Sequence, residues 1–269
     1  MMMKNISLIN KLSLGVLAFA SVAAVNAQSM PENEPGGMGP EKEGGRVTFS
    51  VGSQQDFFSN DKAKLGAGAS VEYRWANGLS VSTNTGLTYN FSSDPNLQYG
   101  VGLGADFGRK EDDKGTLSGM GKVDSAALVG AFFNFNLQRN LKISTNVKHR
   151  SSGNNKGINA DIGINYDIDL APKWRLGLGV NTSLADSNYM QTNYGVSSSQ
   201  SESSGNAVYT PSAGLYMASS SVQLSYQMTP SITITGGVLA TQLLGDAKKS
   251  SLVTRSNNLS GNLSIGYSF

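Results

Sequence analysis

From Val47 to Phe269 apolar residues alternate with small or polar ones, and this period of two most narrows what the chain can fold into. Leu65, Ala67, Ala69, Val71, Tyr73 and Trp75 form one stripe, and Gly66, Gly68, Ser70, Glu72 and Arg74 form the other. Leu97, Tyr99, Val101, Leu103, Ala105 and Phe107 alternate with Gly100, Gly102, Gly104 and Asp106. The terminal stretch LSGNLSIGYSF sets Leu259, Leu263, Ile265, Tyr267 and Phe269 against Ser260, Asn262, Ser264, Gly266 and Ser268. Successive strand residues point to opposite faces, so each stretch reads as a strand with one apolar face.

A soluble β-sandwich would alternate too. Two features favour a transmembrane antiparallel up-and-down β-barrel. Tyr73, Trp75, Tyr89, Phe91, Trp174, Tyr226, Tyr267 and Phe269 recur at strand ends, where an aromatic girdle sits. The opposite faces carry Gly, Ser, Asn and charges, which suits a lumen better than a soluble exterior. The stretches also match the ~9–11 residues of a tilted membrane strand. In lipid every backbone group must be paired internally, so such strands must close on themselves. The terminal strand is expected to pair with the first, near Val47–Val51, and Phe269 to serve as an assembly signal.

Eleven strands are marked: 46–54, 64–75, 79–91, 97–107, 123–137, 141–149, 158–168, 174–185, 213–227, 232–243 and 258–269. Single-chain bacterial barrels have even counts, short periplasmic turns and longer outer loops. With turns at 76–78, 138–140, 169–173 and 228–231, the strands 97–107 and 123–137 would both run downward. Twelve strands are therefore expected, with the unmarked one in or around GRKEDDKGTLSGMGKV; ten is the alternative. The outer loops would be 55–63, 92–96, 151–157, 186–212 and 244–257, the longest being 186–212.

Residues 1–27 read as a secretory signal peptide, with Lys4 and Lys11 before an apolar run and Val25 and Ala27 at the cleavage site. Residues 28–45, rich in Pro, Gly and acids, read as a disordered periplasmic segment, and 46–269 as the barrel. Removing the leader balances 19 basic against 19 acidic residues, which gives no reason to expect nucleic-acid binding. The expected place is the outer membrane of a Gram-negative cell, among its lipid and lipopolysaccharide.

Catalytic signals are weak. With no Cys and one His, neither thiol chemistry nor a metal set is expected, and no cofactor is implied. GVGLG at 100–104 lacks the spacing and the following helix of a phosphate cradle. RKEDDK at 109–114 reads as a solvated turn. His149 and Ser151 lie two apart on the lipid-facing parity, a spacing that resembles the base and nucleophile of outer-membrane phospholipase A. That chemistry also needs a third group to orient the imidazole. Asn159 has luminal parity, and Asn154 and Asn155 are loop residues. No catalytic residue is assigned and the chain is read as a non-enzyme.

The C-terminal third resembles the MipA/OmpV family of outer-membrane proteins. The residues that carry this are Tyr209, Gly214, Tyr226, LLGDA at 243–247, Ser250 and the terminal GYSF. NYGVSSSQSESSG at 193–205, YRWANGL, GRKEDD and LSGMG at 117–121 extend it over most of the chain. One departure is DAKKSS, where the family carries a more acidic, Pro-containing run. The resemblance implies a scaffold for murein remodelling that binds a lytic transglycosylase and a penicillin-binding protein. Other members are described as adhesins or porin-like proteins, so those readings stay open. The family supplies no catalytic residues.

Overall fold

A computed structural model describes residues 43–59, 63–111, 115–151 and 156–269. The leader 1–27 and residues 28–42 of the expected N-terminal segment lie outside the described residues. Among those described, twelve strands follow in order: β1 (Gly44–Gln54), β2 (Lys64–Arg74), β3 (Leu79–Ser82), β4 (Gly86–Asn90), β5 (Leu97–Asp106), β6 (Ala126–Gln138), β7 (Leu141–Arg150), β8 (Gly157–Ala171), β9 (Trp174–Ala185), β10 (Gly214–Thr229), β11 (Ile232–Leu243) and β12 (Asn257–Ser268). Helices α1 (Ser187–Tyr194), α2 (Ser198–Ser204) and α3 (Gly245–Lys249) lie in the loops.

Each strand pairs antiparallel with its sequence neighbour, and β12 closes on β1. The closing register is Val47↔Tyr267, Phe49↔Ile265 and Val51↔Leu263, which keeps the apolar parity of both strands on one face. Phe269 and Gly45 exchange two backbone hydrogen bonds of 2.8 and 2.9 Å across this seam. The first strand begins at Gly44, two residues before the expected start of the barrel.

The apolar parity is outside. Val51, Val101, Ile164, Val222 and Leu263 are all exposed, on strands all around the barrel. A surface this apolar suits hydrocarbon, not water. The inner parity carries Ser, Asn, Gly and charges. Tyr73 packs on Trp75, Tyr89 on Phe91, Trp174 on Tyr226 and Tyr267 on Phe269, at ring separations of 4.7–6.0 Å. All four pairs sit at the end where the hairpin turns are short, and they form the expected girdle there.

The count of twelve holds, but the unmarked strand lies elsewhere than expected. The stretch 79–91 is two strands, β3 and β4, folded back at Thr83–Thr85, and Ser82 pairs with Gly86. No strand occurs among the described residues of 107–125. Consequently β5 runs opposite to β6, not alongside it, and pairs with it from Leu97↔Phe135 to Asp106↔Ala126. Loop 92–96 therefore belongs to the short-turn end, and 107–125 joins the long loops at the other end.

Among the described residues no apolar core fills the centre of the barrel, whose lining is polar. The buried apolar cluster lies instead among the long loops and the strand ends below them. It includes Phe57, Phe58, Leu117, Met120, Met190, Tyr194, Val196, Tyr216, Leu243, Ala247 and Leu252.

Candidate functional site

The long loops do not fray into solvent; they fold into a cap over one mouth of the barrel. Loop 186–213 builds most of it. Asp186 caps α1 by accepting from Tyr189 N–H at 2.7 Å, and Ser197 and Gln200 form a reciprocal capping box on α2. The first helix drives Met190 and Tyr194 into the cluster. Leu252 and Val196 are 0% exposed, as deeply buried as residues in a soluble core. The expected outer loop 186–212 is thus a structural lid over the mouth.

Hydrogen bonds tie the loops to one another. Thr116 Oγ1 is 2.8 Å from both the Phe58 and Leu252 carbonyls. Ser250 Oγ donates to the Tyr194 carbonyl at 2.6 Å, Tyr209 OH to the Asp246 carbonyl at 2.9 Å and Gln200 Nε2 to the Met120 carbonyl at 2.9 Å. Gly119, with φ +74°, lies so close to the Ser203 carbonyl that a Cβ would collide with it. These partners explain several motifs of the sequence. Tyr209, LLGDA, Ser250, NYGV and LSGMG are far apart in the chain and converge on this cap.

Aromatic and charged groups are buried together there. Tyr189 and Tyr216 place their hydroxyls 3.4 Å apart, and Tyr194 packs 6.0 Å from both Tyr216 and Phe58. Burial pushes the Tyr194 phenol well above its ordinary value and raises Tyr189, so both are neutral at physiological pH. The Arg109 guanidinium lies 5.7 Å over the Phe58 ring and donates to the Asn193 carbonyl at 3.3 Å. Burial lowers its pKa, an effect the nearby Asp56 opposes. At the edge of the cap, Arg150 is 4% exposed, pairs with Asp106 at 3.3 Å and donates to the Asp124 carbonyl at 2.6 Å. It fastens loop 107–125 to β5 and β7.

Below the cap the lumen carries both signs of charge. Lys142 and Lys148 on β7 share the inner parity with Asp161, Asp167 and Asp169 on β8, in the register Lys142↔Asn165 and Asn146↔Asp161. Asp161 accepts from Ser183 at 2.5 Å, and Asp169 pairs with Arg175 at 2.8 Å. At the short-turn end Arg46, Asp169, Lys173, Trp174 and Arg175 line a cleft. Buried Nε of Arg46 and one terminal nitrogen of Arg175 have no hydrogen-bond partner. Among the described residues this mouth is polar and no loop packs over it.

Among the described residues, no hydrogen bonds join His149 and Ser151 to a third group as a triad. Ser151 Oγ donates to the Ala127 carbonyl at 3.2 Å, so its proton is already engaged. Asn159 points to the lumen as its parity requires and donates to Asp161 at 3.5 Å. Asn154 and Asn155 lie outside the described residues, as do residues 112–114 of the charged run. Among the described residues no His, Cys, Asp and Glu group could hold a metal. Gly100, Gly102 and Gly104 line the lumen, and the Phe132 ring covers Gly100. Sequence reasoning missed the cap because its apolar residues are spread through several loops with no period.

Residues 47–269 match the family model described as MltA-interacting protein MipA. No curated protein matches the sequence. Among solved structures the chain is similar to the NanC porin, at 9% identity over 82% of this chain and 98% of that one, with a TM-score of 0.49. It is similar to the outer membrane channel DcaP of Acinetobacter baumannii at 11% identity, over 85% and 96% of the two chains, with a TM-score of 0.41. An outer membrane channel from Pseudomonas putida F1 matches at 11% identity, over 88% and 100% of the two chains, with a TM-score of 0.43.

Proposed function

The chain belongs to the MipA family, and from that premise we propose that it is an outer-membrane scaffold that holds peptidoglycan-remodelling enzymes at the periplasmic face. The observation that carries this reading is the family match, whose description names an interaction with MltA. A lytic transglycosylase is the expected partner, with a penicillin-binding protein as a second.

The asymmetry of the barrel supports the choice of face. Short turns are periplasmic in such barrels and long loops face outward. On that orientation the outer mouth is closed by packed loops. The periplasmic rim presents Ala76–Gly78, Asn96, Arg139, Asn140 and Lys173 around a charged mouth, and β1 begins at the same rim with Gly44. The apolar exterior meets outer-membrane lipid, with lipopolysaccharide around the capped end.

Pull-down of the tagged full-length protein from solubilised envelopes tests the proposal. Recovery of a transglycosylase or a synthase, lost when 28–42 is deleted or Lys173 is reversed to Glu, is the expected result. Recovery of neither enzyme from crosslinked cells would overturn it.

The mixed-charge lumen favours a second reading, a porin-like passive channel. Its test is planar-bilayer recording with the loops over the outer mouth removed, where silence of a folded barrel rejects a channel.

A further inference from the structure

The barrel is closed, but it is not closed over its full height. The hairpin β3–β4 contributes strands of four and five residues, whereas every other strand has ten or more. At ~3.3 Å per residue such strands rise roughly 15 Å before tilt, short of the ~9–11 residues needed to cross the hydrocarbon band. β3 pairs with β2 only from Glu72 to Arg74, and β4 reaches β5 only up to Leu103. Above the hairpin tip, no strand among the described residues stands between 64–70 of β2 and 104–106 of β5.

The direction of the backbone groups makes this gap chemically significant. Thr83 N–H donates to the Val71 carbonyl at 3.0 Å, and Thr83 Oγ1 accepts from Val71 N–H at 3.1 Å. Val71 therefore directs both backbone groups to the β3 side. In an antiparallel strand every second residue does the same, so Ala69, Ala67 and Leu65 aim theirs past the tip. Among the described residues no strand stands there to receive them. An open strand edge at membrane height is what closure of a barrel otherwise removes.

Exposure agrees. Gly66 and Gly68 share the luminal parity, pairing with Gly52 and Ser50, yet both are exposed. A Cβ on Gly66 would meet no atom within 4 Å. Ser183 and Asn258, which also face inward near the capped end, are buried. Leu65 is 88% exposed, more than any other large apolar residue described. The edges of the gap are built from Leu, Ala and Gly, its floor from Thr83, Asn84 and Thr85, and Asp106 stands at its luminal side.

We propose that this gap is a lateral portal through which the acyl chain of a membrane amphiphile enters the lumen from the outer half of the bilayer. The small residues leave room for a chain of methylenes across Gly66 and Gly68. The hydroxyl, amide or ester groups of the head supply partners for the backbone groups that Leu65 and Ala67 aim into the gap. The cap closes the axial route at the same end, so the side of the barrel is the path between that half of the lumen and the membrane. A polypeptide strand fits this edge less well, because at membrane height its own far edge would be left unpaired.

The chain has no cysteine, so single labels report unambiguously. Full-length Gly68→Cys, Asn181→Cys and Val51→Cys proteins carry a bimane probe at a portal position, a luminal position on the continuous wall and a lipid-facing position. Each is reconstituted in phosphatidylcholine vesicles containing a brominated acyl chain, with heat-modifiable gel migration confirming the folded barrel. Quenching at position 68 should exceed that at 181 several-fold and approach that at 51. Equal, weak quenching at 68 and 181 overturns the portal. In a second arm a photo-crosslinking residue replaces Gly66, whose parity is luminal, in cells. An adduct of lipid mass supports the portal, and capture of a polypeptide in its place overturns it in favour of strand addition.

Discussion

Leu252 shows how a loop residue can carry the energetics of a core. It is fully buried in the cap and its carbonyl accepts from Thr116. Truncating a side chain so enclosed costs about 2–5 kcal/mol. That cost falls on the cap, whose buried cluster takes in the strands only at the ends of β9, β10 and β11. Leu252→Ala should therefore raise protease cleavage within 186–213 by more than tenfold while the folded barrel persists. Leu263→Ala, on the lipid-facing parity, should leave cleavage unchanged. Asp246 sets an acid limit on the same assembly. The Ser212 N–H at 3.0 Å, and then Lys249 at 3.1 Å, hold its carboxyl below the ordinary 3.8. A depressed carboxylate contributes stability that is complete above the unfolded value and is lost as pH falls through the folded one. The exchange protection of the Ser212 amide should be constant from neutrality to about pH 5 and fall below pH 3.8. Protection that falls already between pH 7 and pH 5 would exclude Asp246 as its source. None of this was legible beforehand, since an isolated Leu or Asp in a polar loop carries no period that says where it packs.

At the level of elements, the alternation that revealed the strands also concealed a turn. Leu79, Val81, Leu87 and Tyr89 hold one parity straight through residues 83–85, because a three-residue reversal after Ser82 preserves it. The residues that make the turn, Thr83-Asn84-Thr85-Gly86, are turn formers and were the available signal. The even-count rule correctly demanded a twelfth strand, but the long polar stretch 108–123 drew it away from this compact site. Gly86 is what the reversal depends on. Its φ is +80°, and a Cβ there would run into the Leu103 carbonyl. Holding a side chain in that conformation costs about 1–3 kcal/mol before the collision is counted. Gly86→Ala should lower the fraction of protein that migrates as the folded, heat-modifiable barrel. Gly66→Ala, where nothing lies within 4 Å, serves as the matched control. Equal migration of the two variants would show that the hairpin does not need this glycine.

Across the whole molecule, the two mouths of the barrel are built by different physics. At the short-turn end the girdle aromatics hold the rim against lipid, and charged side chains line the mouth. At the other end apolar burial and loop-to-loop hydrogen bonds form a lid. The strand ladders close through β12 and β1 without help from that lid, so it is separable from the wall. Replacing residues 187–204 with a short Gly-Ser linker removes Met190, Tyr194 and Val196 from the buried cluster while keeping every strand. The intact protein should be silent in planar bilayers, and the excised form should conduct. Its ion selectivity should be weak, because Lys142, Lys148 and Arg175 share the lumen with Asp161, Asp167 and Asp169. Silence of a correctly folded excised barrel would place the block in the lumen itself, where Phe132 lies over Gly100. The same variant separates the two functional readings. A scaffold works from the periplasmic rim, so its enzyme partners should still be recovered when the lid is gone; loss of the partners together with a gain of conductance would tie both activities to the capped end.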